Sequence, residues 1–200
     1  MDKKSHDILR AVINEFNHLS YIAPEDVPDI QLYMDQITTF MDAKLADCKR
    51  HPDDKIFTKT MINNYTKNKL IPPPDKKKYS KEHLIELIFV YYLKDFLQIN
   101  DIRTILSPLT EKCFDAEGDR SMQDVYEEAF RLVKSQTGYM VKDLMRRWKM
   151  SSATFPDADD EEAEYLRLFS FVCLLSFDVY VKKKLIEAVV DEMNFAKEKK

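Results

Sequence analysis

An all-α fold is what this sequence predicts, on three observations. It holds only two glycines, Gly118 and Gly138, so turns that need a positive φ are scarce. Its apolar residues recur at the three- and four-residue spacing of a helix face. Its 44% hydrophobic and 12% aromatic content over 200 residues is ample for a buried core. The same glycine shortage excludes the phosphate cradles of Walker loops and dinucleotide fingerprints. The three cysteines, Cys48, Cys113 and Cys173, are odd in number and widely spaced, and no signal-peptide architecture accompanies them. A reducing cytoplasm is the expected compartment.

The elements follow in order. Residues 5 to 20 carry Ile8, Leu9, Val12, Ile13, Phe16 and Leu19 at helical spacing, with Ser5 as cap. The prolines and acids of "YIAPEDVPDI" mark an extended connector. A second helix, from Gln31 to Cys48, places Leu32, Ile37, Phe40, Met41, Leu45 and Cys48 on one stripe and ends before Pro52. "FTKTMINNYTKNKL" reads as a short basic helix with threonines fit for capping and Met61, Ile62, Tyr65 and Leu70 on one side. Pro72, Pro73 and Pro74 end it, and "DKKKYS" has room only for a tight hairpin. Ser80 opens a strongly apolar helix through Leu84, Leu87, Ile88, Tyr91, Tyr92 and Leu93, and Asn100 caps a shorter one that stops near Pro108.

"PLTEKCFDAEGDR" reads as a linker. A further helix starts at Ser121, where Asp124 supplies a first-turn acid, and runs through Val125, Tyr126, Phe130 and Leu144 to Trp148, with an interruption expected at Gly138. The last helix spans roughly 160 to 196, acidic at its start and lysine-rich at its end, as the helix dipole favours. Its longest apolar run, Leu168 to Phe177, is about half of a membrane span, so a buried core helix is expected. Packing on residues 121–150 covers only part of it; the remainder is expected to be covered in a homodimer through the C-terminal helices or, as readily, in the core of a monomer.

Charge is unevenly distributed. The net charge is -4, yet Lys55 to Lys81 holds eight lysines against one acid, Asp75. Alone, that is a solvated loop as readily as a ligand surface. In order, the segment reads as helix, basic helix, proline-terminated turn, lysine-tipped hairpin, aromatic and long helix. This order suits a winged helix-turn-helix, in which a short basic helix lies in a major groove and flanking lysines contact phosphate.

Residues 61 to 106, "MINNYTKNKLIPPPDKKKYSKEHLIELIFVYYLKDFLQINDIRTIL", resemble the DNA-binding region of MerR-type transcription regulators. The match rests on Tyr65, Leu70, Pro72, Pro73, Tyr79, Ser80, Leu84, Leu87, Ile102 and Leu106. Asn63 and Asn64 stand where that family carries arginine and tyrosine, and Lys69 where it carries glycine. Residues 25 to 180 also resemble a bacterial family described only as a domain of unknown function. The resemblance to MerR-type proteins implies a cytoplasmic, sequence-specific regulator that binds double-stranded DNA and acts by distorting promoters. Residues 1–24 would be an N-terminal helix, 25–110 the winged DNA-binding domain with a short β-hairpin wing, and 111–200 a helical dimerisation or sensing domain. Lys59, Thr60, Asn63, Asn64 and Lys67 would enter the major groove. Lys76, Lys77 and Lys78 would grip phosphate from the wing, and Tyr65 and Tyr79 would divide between packing and phosphate contact. A protein-binding module on the same scaffold, without DNA affinity, is the alternative.

Other chemistry finds little footing. Cys48 and His51 have the spacing of half a zinc site, but no second Cys/His pair follows. His6, His18 and His83 lack an identifiable nucleophile partner, so neither an enzyme nor a cofactor is expected. "DADDEEAE" lacks the glycine and ligand spacing of a calcium loop and reads as the charged start of a helix.

Overall fold

The helix-periodic sequence folds mainly into helix, with one small antiparallel sheet, in a computed structural model that describes residues 3–18, 21–114 and 120–198. In chain order the elements are α1 (Lys3–His18), β1 (Leu32–Tyr33), α2 (Met34–Lys44), α3 (Lys59–Lys67), β2 (Lys78–Tyr79), α4 (Lys81–Leu93), α5 (Ile99–Cys113), α6 (Met122–Ser152) and α7 (Asp160–Glu198). They divide between two compact units, one of Ser20–Arg131 with the chain from Glu187, the other of α1 with Leu132–Ile186.

The first unit is organised around α4. Ser80 and His83 close its N-terminus reciprocally, the Ser80 amide donating to His83 Nδ1 at 3.0 Å. Leu84, Ile85, Leu87, Ile88 and Val90 are then buried on nearly every side. Ile37 and Met41 of α2, Ile62 of α3, and Ile102 and Leu106 of α5 are buried with them. The first turn of α6 joins this unit through Tyr126, whose hydroxyl donates to the Ile22 carbonyl and whose ring meets Phe89 edge-on at 5.6 Å. Ser121 and Asp124 cap that helix as expected, with the Ser121 amide donating to Asp124 at 2.7 Å and the Asp124 amide to Ser121 Oγ at 3.1 Å.

Several boundaries depart from expectation. The Gln31–Cys48 segment is not one helix: Leu32 and Tyr33 form β1, and a single turn of 3-10 helix follows α2. The reason is non-local, because β1 pairs antiparallel with β2, Leu32 opposite Tyr79 and Tyr33 opposite Lys78. Pro108 does not stop α5, which continues to Cys113 and turns the front of the expected linker into helix. A mid-helix proline costs about 3 kcal/mol, and burial of Cys113 beyond it favours continuing the helix. Gln98, not Asn100, caps α5, its amide donating to Asp101 at 3.2 Å. Gly118 lies outside the described residues, and Gly138 leaves α6 uninterrupted. Ser5 falls inside α1 rather than capping it, because the helix begins at Lys3. Leu19 and the side chains of His6, Phe16 and His18 lie outside the described residues.

In the second unit α6 and α7 meet through Trp148 and Phe171, whose rings cross edge-on at 5.0 Å. Arg147 bridges them further, its guanidinium 3.1 Å from Asp178 and donating to the Leu174 carbonyl at 3.2 Å. Asp159 caps α7, accepting from the Glu162 amide at 3.0 Å, so the acidic run opens a helix as read. Packing on α6 covers only part of α7 within one chain. Phe169, Val172, Phe177, Val179 and Tyr180 are more than half exposed, because the partner helix covers one face and α7 is apolar on more than one. No described helix is long and apolar enough to cross a membrane.

Candidate nucleic-acid interface

The residues expected to contact DNA lie on α3, on the turn that leads to β2 and, for Lys78 and Tyr79, on β2 itself. Thr58 starts α3, its hydroxyl accepting from the Met61 amide at 3.2 Å. At 100° per residue, Lys59, Thr60, Asn63, Asn64 and Lys67 fall within an arc of roughly 140°, and all five are exposed. Ile62 and Tyr65 occupy the opposite side and are buried. The helix therefore presents a polar, cationic face carrying every α3 side chain expected to meet DNA except Tyr65.

At the C-terminus of α3 a lysine holds a conformation that glycine ordinarily takes. Lys69 takes φ 55°, its amide donating to Thr66 O at 3.0 Å, and the Leu70 amide reaches Tyr65 O at 2.8 Å. These paired bonds make a Schellman cap in which the left-handed residue is ordinarily glycine. Asn68 adds a further bond, its side-chain amide donating to Asn64 O at 2.8 Å. The helix ends here despite the side chain at position 69, with backbone strain on the order of 1 kcal/mol.

Beyond the prolines, Asp75 to Lys78 form a tight turn, the Lys78 amide donating to Asp75 O at 2.8 Å. Lys76 and Lys77 sit at its tip with φ 47° and 67°, the two successive positive values of a type I′ turn. Both are exposed. The lysine-tipped turn is present, but the strand that leaves it pairs with β1 ahead of α2 instead of forming a longer free hairpin. Lys78 is half-buried with its ammonium 5.7 Å from the centre of the Tyr33 ring.

The two tyrosines fall on the packing side. Tyr65 is buried with its ring edge-on to Phe57 at 5.9 Å, and burial raises its phenol above the ordinary value. Tyr79 is buried against the edge of the His83 ring at 5.4 Å and is likewise raised by burial, with a hydrogen bond to Thr66 opposing. Lys59 is ion-paired with Asp35, at the start of α2.

Two open clefts of about 550 Å³ flank α3. One, at its N-terminal end, is lined by Thr38, Asp42, Lys55 and Lys59. The other, at its C-terminal end, is lined by Thr66, Lys69, Arg103, Thr104, Ser107 and Asn194, among others. Arg103 was not singled out by sequence. It donates to Asn100 Oδ1 of its own helix at 3.0 Å and reaches across from α5 to the Asn68 carbonyl at 3.5 Å, placing another cation beside the end of α3. Its only local signal is the asparagine three residues earlier.

Glu86 is a second residue outside the expected set. It is fully buried in α4, accepts from the Thr110 hydroxyl through one oxygen, and has no hydrogen-bond partner on the other among the described residues. Burial raises its carboxyl to about 7, the Thr110 bond opposing. The signal was a lone acid in the apolar run "HLIELIFVYY". Among the described residues no group of three or more His, Cys, Asp or Glu side chains is arranged to hold a metal.

No curated protein and no solved structure matches the chain. A family match covers residues 22–129, which take in β1 to α5 and the first turns of α6, and stops well before the residue 180 expected from resemblance. That span is more than half of the sequence, and the chain therefore belongs to the family described as a domain of unknown function (DUF1836).

Proposed function

We propose that residues 25–110 are a winged helix-turn-helix domain that binds double-stranded DNA as part of a sequence-specific transcription regulator. Lys59, Thr60, Asn63, Asn64 and Lys67 face the major groove, and the Lys76–Lys77 turn lies on phosphate. The observation that carries the reading is the single outward face of α3, where all five polar side chains fall together above a buried Ile62 and Tyr65. A short helix so anchored presents base-reading amides and phosphate-binding ammoniums to one groove. The resemblance of residues 61–106 to MerR-type regulators supports it, as does the pairing of the wing strand with the residues just ahead of α2.

Replacing Lys76, Lys77 and Lys78 together by alanine tests it. The slope of log affinity against log salt should fall by roughly 2 units, and by roughly 3 if Lys78 leaves the Tyr33 ring for phosphate. An unchanged slope removes the turn from the interface. At Asn63 or Asn64, alanine should cost about 1–3 kcal/mol of discrimination at one base pair where that residue reads a base.

A protein-binding module without DNA affinity is the second reading. The pairing of Lys59 with Asp35 favours it, because that contact neutralises a cation at the edge of the α3 face. Absence of DNA binding at low salt by a folded, full-length chain would select this reading.

A further inference from the structure

The inner face of α7 is set by Phe171, Leu174 and Asp178, which meet Trp148 and Arg147 of α6. Turned away from it is a second row: Glu162, Leu166, Phe169, Cys173, Phe177, Tyr180 and Lys184. On a regular helix these fall within an arc of roughly 80°. Phe169 is 55% exposed, Phe177 69% and Tyr180 57%, and Glu162, Cys173 and Lys184 are exposed as well. A row with three aromatics so uncovered is larger than scattered surface apolar residues explain.

The row is symmetric about its middle. Counted from Cys173, the steps are four, three and four residues towards either end. Reversed and laid on itself, it sets Phe169 opposite Phe177, Leu166 opposite Tyr180 and Glu162 opposite Lys184, with Cys173 opposite its own copy. Apolar residues meet apolar residues, and the end charges meet with opposite sign at both ends. A parallel pairing would instead set Glu162 on Glu162 and Lys184 on Lys184.

We infer that this face of α7 docks antiparallel on the same face of a second copy of the chain, the two helices related by a two-fold axis at Cys173. Such a contact is isologous, the commonest form of oligomer closure. Two copies of the row bury on the order of 1,000 Å² through their aromatics and the aliphatic stems beside them, the lower range of a specific interface. The row lies beyond the residues matched to the family, and the inference does not depend on DNA binding.

Sedimentation equilibrium of the full-length chain tests it by charge reversal. The wild type should be a dimer at micromolar concentration, and Lys184→Glu should weaken it roughly tenfold. Adding Glu162→Lys to Lys184→Glu should restore the dimer, because in the antiparallel pairing each reversed residue meets the other's reversed partner. Within one helix those positions are roughly 33 Å apart and cannot compensate each other. A short bis-maleimide should also join two chains of the wild type and none of Cys173→Ser. A monomeric wild type, a double reversal no tighter than Lys184→Glu, or a dimer that cross-links equally without Cys173 would overturn the inference. Phe169→Glu guards against a misfolded control: it should give a monomer with unchanged helicity, and a dimer of wild-type affinity would likewise overturn it.

Discussion

From His83 to Val90, α4 is buried at every position except Phe89, whereas α7 leaves Phe169, Val172, Phe177, Val179 and Tyr180 more than half exposed over a run just as apolar. Both runs lose the one-sided pattern of an amphipathic surface helix. What separates them is the company each keeps. The first unit supplies α2, α3 and α5 to bury side chains with α4, while among the described residues the apolar run of α7 from Leu168 to Val181 packs on α6 and the turn that follows it, across one face. An apolar run thus specifies how much cover a helix needs, and tertiary structure decides whether the same chain provides it.

The largest expected effect tests that contrast directly. Leu87→Ala in α4 should lower stability by about 2–5 kcal/mol in urea denaturation, the cost of a cavity in a closed core. Phe177→Ala in α7, measured at a dilution where the chain is monomeric, should change stability by less than about 0.5 kcal/mol. Equal costs would mean that α7 is covered within its own chain.

Glu86 is the one acid in the buried run from His83 to Val90, and it makes the contrast dependent on pH. Its carboxyl stands at about 7 in the folded chain against an ordinary 4.5, so between those values the folded chain holds a proton that the unfolded chain has released. Stability from this group is complete below pH 4.5, falls as pH rises towards 7 and levels off above it, a loss of about 3 kcal/mol. Glu86→Gln keeps an acceptor for Thr110 and should remove that component from a stability profile recorded over this range. A variant whose profile still follows the wild type would place the titration elsewhere.

Smaller effects belong to the turns that frame α3. Lys69→Gly should raise stability by about 1 kcal/mol, because glycine occupies φ 55° without strain. Thr58→Ala should lower it by about 1 kcal/mol through loss of the hydroxyl that accepts from Met61. Thermal or urea unfolding reads both.

Much of this was legible where the physics is local. Thr58, Ser80 with His83, and Ser121 with Asp124 announced their helices, because a cap needs only neighbours three residues away. The α3 face was legible from spacing, with Ile62 and Tyr65 inward and the lysines and asparagines outward. Illegible features depend on distant partners. Leu32 and Tyr33 form a strand only because Lys78 and Tyr79 lie beside them. Pro108 stays within α5 and Glu86 stays buried because of what packs around them, which no local pattern states. For Tyr65 and Tyr79, periodicity allowed either surface or core, and burial places both in the core.

Selection from a random library of duplex DNA with the purified full-length chain most directly tests whether the α3 face reads sequence. The expected result is enrichment of a defined motif at moderate salt, lost or altered at one base pair when Asn63 or Asn64 is replaced by alanine. Recovery of no motif, together with no retention of any duplex at low salt by a folded chain, would contradict DNA binding and leave α3 as a surface for protein.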